Sequence, residues 1–249
     1  MQGMYHNFRV WLGILYLFLS LPLIHVSSIK AQDNRQIYTQ VRTKKLKNAY
    51  CRYFIQYPHL KVRKKETVAR GKRYAIYKVN KQLRVTLIRA LKSYKSLCEY
   101  VKKDGLKNGL SIEIRFKVTY IDDTFVSVYY SGSDFIKNTP HPNYQYKGLN
   151  YSLETGKSVS FSSLFSKNSR YHRFVRRLAI ASLLRQKIIH SKDEYQHSGK
   201  KHDFYIHKRK LHLINLYDIH VLQSVEAALP FKRLKRFLHK NYKAMLEYK

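Results

Sequence analysis

From Ser111 to Ile121, apolar side chains at Ile112, Ile114, Phe116, Val118 and Tyr120 alternate with Ser111, Glu113, Arg115, Lys117 and Thr119. A period of two predicts a strand with one face in a core and the other in water. Asp122 and Asp123 supply turn chemistry, and Thr124 to Tyr130 returns as a β-branched and aromatic run, so the two predict an antiparallel hairpin. Beyond it, Ser131 to Asn143 reads as a loop that leaves the sheet. Tyr144 to Leu153 reads as a further strand, Glu154 to Lys157 as a turn at Gly156, and Ser158 to Phe161 as a short strand.

Ala49 to Tyr57 alternates Ala49, Cys51, Tyr53, Ile55 and Tyr57 against Tyr50, Arg52, Phe54 and Gln56, and Pro58 predicts its end at a sheet edge. Val79, Leu83, Leu87, Leu91, Tyr94, Cys98 and Val101 make one stripe of an amphipathic helix that Gly105 and Gly109 close. A second helix is predicted over 169–188, with Phe174, Leu178, Ala181, Leu184 and Ile188 inward and Arg173, Arg176, Arg177 and Lys187 outward. Two strands follow, Asp203 to Ile206 and Leu211 to Leu216, around Lys208-Arg209-Lys210. Phe231 to Lys249 reads as a basic amphipathic helix docked by its apolar stripe, the other reading being a helix lying on an anionic membrane. The fold class is α+β: an antiparallel sheet of roughly six to eight strands, two main helices packed on it and a short C-terminal helix.

The first residues follow another pattern. Met1 to Arg9 carries one positive side chain, Val10 to Val26 is apolar apart from Ser20, Pro22 and His25, and Ser27 to Ala31 is small and polar. This predicts a signal peptide over 1–31, with a membrane anchor as the other reading; the apolar run falls short of the about 20 residues a span needs. Residues 32–48 are polar and basic without a hydrophobic period, which predicts a linker, and 49–249 is left as one domain in a periplasmic or secreted protein.

Charge narrows the partners. A formal net charge of +34 favours an anionic envelope polymer or lipid, binds nucleic acid by nonspecific attraction, and repels cationic proteins. Cys51 and Cys98 are the only two cysteines. In an exported chain an even count predicts a disulfide, the alternative being two separate buried thiols. Of 12 histidines, His190, His197, His202, His207, His212 and His220 cluster in sequence but lack the tight spacing of a metal site. His207 and His212 would face apart if one strand ran through both. No metal and no cofactor are expected.

The run His141-Pro142-Asn143-Tyr144, then Leu149-Asn150-Tyr151-Ser152-Leu153-Glu154-Thr155-Gly156-Lys157, then Leu164-Phe165, resembles a bacterial exported domain of unknown function. That domain is the C-terminal part of the lysozyme-sensing anti-sigma factor RsiV and an accessory part of PdaC-type peptidoglycan deacetylases. Phe54 to Pro58 ahead, and Phe204 to Ile206, Leu211 to Ile219 and Leu229 to Leu234 behind, extend the resemblance over Asn48 to Leu234. This sequence departs from the family in the insertion Ser133 to Pro140 before His141, and in Lys210 and Leu216 where a glycine and a proline stand. The resemblance implies either recognition of a lysozyme-like protein or attachment to peptidoglycan. Common lysozymes are cationic, so charge favours the second.

His141, Asn143, Tyr144 and Tyr146 form the candidate binding loop. Two prolines stiffen the backbone around an imidazole, and tyrosines alternate there with polar and basic residues, able to stack on rings while cations meet anions. The other reading is structural: the histidine ring ties the loop down and the tyrosines pack. A catalytic role would pair His141 with a carboxylate such as Asp134. Neither a serine-nucleophile elbow nor a phosphate-binding glycine loop is present in the sequence, and no catalytic residue is assigned. The sequence thus points to a noncatalytic exported envelope module recognising peptidoglycan or another anionic polymer. Its alternatives are a lysozyme-binding or lysozyme-inhibiting protein, a small envelope hydrolase using His141, and a secreted basic effector binding nucleic acid or membrane.

Overall fold

The structure, a computed structural model, describes residues 36–64, 67–167, 170–195, 202–216 and 225–246; the expected signal peptide lies outside them. The basic stretch before Asn48 is a strand rather than a linker. Strand β1 (Ile37–Lys47) pairs antiparallel with β2 (Cys51–Val62), Ile37 opposite Val62 and Lys47 opposite Arg52. Its period is hidden in the sequence because β1 is an edge strand on which Ile37 alone is fully buried. Lysines on such an edge also deter pairing with other chains.

Strand β2 runs on through Pro58. Its parallel neighbour β3 (Leu110–Ile121) pairs with it only from Cys51/Leu110 to Gln56/Arg115. Further along, the N–H and C=O of Leu60 are bonded by the side-chain amide of Asn80, at 2.9 and 3.0 Å. The nitrogen of Pro58 points to the same side as that of Leu60, where the ladder to β3 has ended, so its missing N–H leaves no gap.

Parallel pairing requires a long crossover, and α1 (Arg70–Lys103) supplies it. The predicted stripe is the buried one: Val79, Leu83, Leu87, Tyr94, Cys98 and Val101 lie on the sheet. Gly105, at φ 66°, bonds its N–H to Lys102, and Leu106 bonds to Val101, the left-handed stop that glycine tolerates. Among the described residues no helix is long and apolar enough to cross a membrane. The disulfide Cys51–Cys98 is formed, with Cα atoms 6.0 Å apart, and ties β2 to α1.

Strands β4 (Phe125–Ile136) and β5 (Asn143–Ser152) complete a five-stranded sheet in the order β1-β2-β3-β4-β5. Ser131 to Asp134, expected to leave the sheet, stay in it, paired with β3 on one side and with Asn143 to Tyr146 on the other. Small polar residues have poor strand propensity, but neighbours on both sides override it. A bulge at Thr119 shifts the register between β3 and β4 and moves Tyr120 out of the Ile112-to-Val118 series, to within 6.2 Å of the Phe125 ring.

The second layer is α2 (Tyr171–Arg185) with an antiparallel sheet of β6 (Asp203–His207), β7 (Lys210–Ile214) and β8 (Ala227–Pro230). The strand expected at 158–161 is reduced to a single bridge between Tyr151 and Ser158. The helix expected from Phe231 onward is broken: α3 (Phe231–Leu234) is one turn, Leu238 bridges to Phe165, and a 3-10 segment covers Lys240–Leu246. Leu234 and Leu238 are nevertheless buried, so the apolar stripe docks.

Strand β4 therefore divides two cores. Val126, Val128 and Tyr130 face α1, and Phe125 faces the α2 layer. A buried polar clasp joins the layers: the Ser127 hydroxyl donates to Asn150 Oδ1 at 2.7 Å, Asn150 Nδ2 to the Phe204 carbonyl at 2.7 Å, and the Ile206 N–H to Ser127 Oγ at 2.8 Å.

Candidate ligand-binding face

The alternation that buries Ile112, Ile114 and Phe116 under α1 turns Glu113, Arg115 and Lys117 to the opposite side of the sheet. By register, the same side carries Lys45 and Lys47 on β1, Arg52 and Phe54 on β2, Tyr129, Ser131 and Ser133 on β4, and Tyr144 and Tyr146 on β5. β6 crosses this side over Gly148 and Asn150 of β5, Ser127 of β4 and Thr119 of β3, and beyond it Lys45, Lys47, Arg52, Arg115, Lys117 and Tyr144 are exposed. The open part mixes cations with aromatic rings. Arg115 lies over Phe54 at 4.7 Å while pairing with Glu113.

A row of rings runs across β5, β4 and the small sheet. Tyr144 stacks on Tyr146 at 6.1 Å and 10°, Tyr146 on Tyr129 at 6.0 Å and 20°, Tyr129 meets Tyr205 at 4.9 Å, and Tyr205 stacks on His212 at 4.5 Å. The row starts exposed at Tyr144, 39% accessible, and ends buried at His212. At the buried end Glu226 accepts from the Tyr205 hydroxyl at 2.9 Å and from His212 Nδ1 at 3.3 Å. Burial, then the neighbouring Tyr146 and Glu226, push the Tyr129 hydroxyl far above its ordinary range. Burial and the Glu226 bond do the same to Tyr205, so both remain neutral phenols. Burial pushes the Glu226 carboxyl up, but the bonds from His212 and Tyr205 outweigh it and leave the group below its usual value.

With this geometry in view, two crystal structures are similar to the chain. One, a DUF3298 family member from Bacteroides fragilis, superposes with a TM-score of 0.57 at 13% identity, covering 87% of this chain and 100% of that one. The other, a DUF3298 family protein from Pseudomonas aeruginosa, gives 0.55 at 13% identity, covering 84% and 96%. The chain is similar in fold to DUF3298 proteins. No protein-family model matches the sequence, and no curated protein matches it.

Within this DUF3298-like fold, the four loop residues singled out from sequence separate into two groups. Tyr144 and Tyr146 form the exposed end of the ring row. Asn143 spends its amide on the hairpin, donating to Asp134 Oδ2 at 2.9 Å. His141, half-buried in the β4–β5 turn, donates from Nδ1 to the carbonyl of Pro142 at 3.2 Å. Asp134, 3% exposed, accepts from Asn143, whereas the His141 ring bonds to the Pro142 carbonyl, so the two are not paired. Among the described residues no group of three or more His, Cys, Asp or Glu gathers as a metal would require; His197 and His220 lie outside them.

Sequence reasoning missed Tyr129, Tyr205, His212 and Glu226. Their meeting depends on β4 pairing with β5 and on the β6–β7 hairpin, which sets Tyr205 opposite His212. The two strands expected around Lys208-Arg209-Lys210 form this hairpin, so no single strand runs through His207 and His212, and their rings lie 6.1 Å from each other. Lys208 and Arg209, both at positive φ, make the turn that reverses the chain between the two histidines.

Proposed function

We propose that this chain is a noncatalytic exported module of the cell envelope that holds peptidoglycan, or another anionic envelope polymer, on the open face of its five-stranded sheet. The observation that carries this reading is the stacked pair Tyr144 and Tyr146, continued by Tyr129, beside a face set with lysine and arginine. Tyrosine rings offer flat apolar area with a polar rim, suited to the faces of sugar rings, and the surrounding cations attract carboxylates or phosphates along a polymer. The Cys51–Cys98 disulfide supports an oxidising compartment and hence export. The resemblance to the RsiV and PdaC-type exported domain points the same way, and the net charge of +34 selects an anionic polymer over a cationic lysozyme.

Replacing Tyr144 and Tyr146 by alanine tests the site. Each stacked ring contributes about 1–3 kcal/mol in comparable ring-stacking sites. The double variant should therefore bind isolated peptidoglycan sacculi at least about tenfold more weakly, with its melting temperature near that of the parent. Unchanged retention by a folded double variant would remove this face as the site.

A further inference from the structure

Remote in sequence from the tyrosine row, the first turns of α2 and the turn after α3 enclose an open groove of about 540 Å³ lined by Arg170, Arg173, Phe174, Arg177, Arg236 and Phe237. Two backbone bonds hold the walls together: the Ser166 N–H donates to the Phe237 carbonyl at 2.8 Å and the His239 N–H to the Leu164 carbonyl at 2.8 Å. The two phenylalanine rings meet at 5.1 Å and form the floor. Arg177 lies over Phe174 at 5.1 Å, and Arg236 lies over both rings, at 5.0 and 4.6 Å. A guanidinium held over a ring face keeps its N–H groups for an acceptor.

The charges here break an ordinary rule. A helix start favours anions and disfavours cations, yet Arg170 stands at the N-cap of α2, Arg173 and Arg177 follow within two turns, and the first turn has neither an acidic residue nor a capping side chain. None of the four arginines forms an ion pair with another described residue. Four arginines and the positive helix end thus line one groove, with no acidic residue among its described lining residues. Local conflicts of this kind mark functional positions in proteins whose other levels agree.

We propose that the groove is a binding site for adjacent phosphoryl groups, as in a pyrophosphate, an oligophosphate or a multiply phosphorylated headgroup. Phosphoryl oxygens match the planar fork of arginine in pairs, and a ligand carrying two or more phosphates meets four guanidiniums where a single carboxylate would meet one. The phenylalanine floor excludes water from one side and fixes two of the forks. This site is separate from the tyrosine row and stands whether or not that row binds glycan.

The test measures binding of inorganic tripolyphosphate to the purified protein by calorimetry at fixed moderate salt. The variants are R173Q/R236Q, R173K/R236K, and R84Q/R89Q on the exposed side of α1, the last with the same loss of net charge as the first. R173Q/R236Q should lose at least tenfold in affinity, R173K/R236K should lose a substantial part of it because the forks are gone, and R84Q/R89Q should stay within about twofold. Tripolyphosphate should also raise the melting temperature of the parent and not of R173Q/R236Q. Equal losses in the groove and α1 pairs, or full affinity in the lysine pair, would overturn the site. Vesicles of phosphatidylinositol 4,5-bisphosphate in phosphatidylcholine identify the source: retention lost with R173Q/R236Q assigns a lipid headgroup, and retention unaffected while tripolyphosphate binding is lost assigns a soluble phosphate compound.

Discussion

Replacing Gly148 with valine should separate the two layers of the molecule. A Cβ at this position would lie 1.6 Å from the Phe204 carbonyl oxygen and 2.3 Å from its carbon. These are backbone atoms of β6, so no side-chain rotation relieves the clash. The strands must move apart, and the clasp of Ser127, Asn150, Phe204 and Ile206 opens with them. Ser127 is 0% and Asn150 4% exposed, so each group left unpaired there costs about 1–3 kcal/mol. The expected loss is about 4 kcal/mol or more, read as a large fall in the denaturant midpoint. Gly71→Ala is the control, because a Cβ there meets nothing within 4 Å. A Gly148→Val midpoint close to the parent's would show that the layers are not held as described.

Removing the disulfide should have an effect of similar size. Cys51 and Cys98 close a loop of 47 positions, and constraining the unfolded chain to that extent contributes about 3–4 kcal/mol. In a chain of this size that corresponds to a melting temperature lower by roughly 10 °C. Alanine at both positions avoids leaving a buried hydroxyl unbonded, since Cys51 is 0% and Cys98 9% exposed. Reductant should bring the parent down to the level of the double variant and leave the variant unmoved. A parent insensitive to reductant would show that the bridge does not form.

These two positions also show how unevenly the fold was legible in the sequence. The Cys51–Cys98 tie, the α1 stripe and the alternation of β3 were open to local reading because each obeys one period or one compartment rule. Gly148 was not. Nothing in Lys147-Gly148-Leu149 says that another strand's backbone crosses there, since the contact spans from β5 to β6. Strand β1 reads as a linker because its basic residues face water at a sheet edge, and Pro58 reads as a stop because the help of Asn80 comes from a distant helix turn. The candidate face was half visible. Tyr144 and Tyr146 stood out by their alternation, whereas Tyr129 joins them by register and Tyr205, His212 and Glu226 by a hairpin. The arginines of α2 look like an ordinary outward face in the sequence; only the return of Arg236 and Phe237 to the same groove sets them apart.

On the proposed reading a shaped face, and not charge alone, binds the envelope polymer. Binding of the purified protein to peptidoglycan sacculi and to DNA, each followed from low to high salt, tests it most directly. Attraction to DNA phosphates falls steeply with salt because it releases counterions, whereas stacking on Tyr144 and Tyr146 does not. Retention on sacculi is expected at salt concentrations that strip the protein from DNA. Parallel loss from both would contradict it and leave the net positive charge as the whole cause of binding.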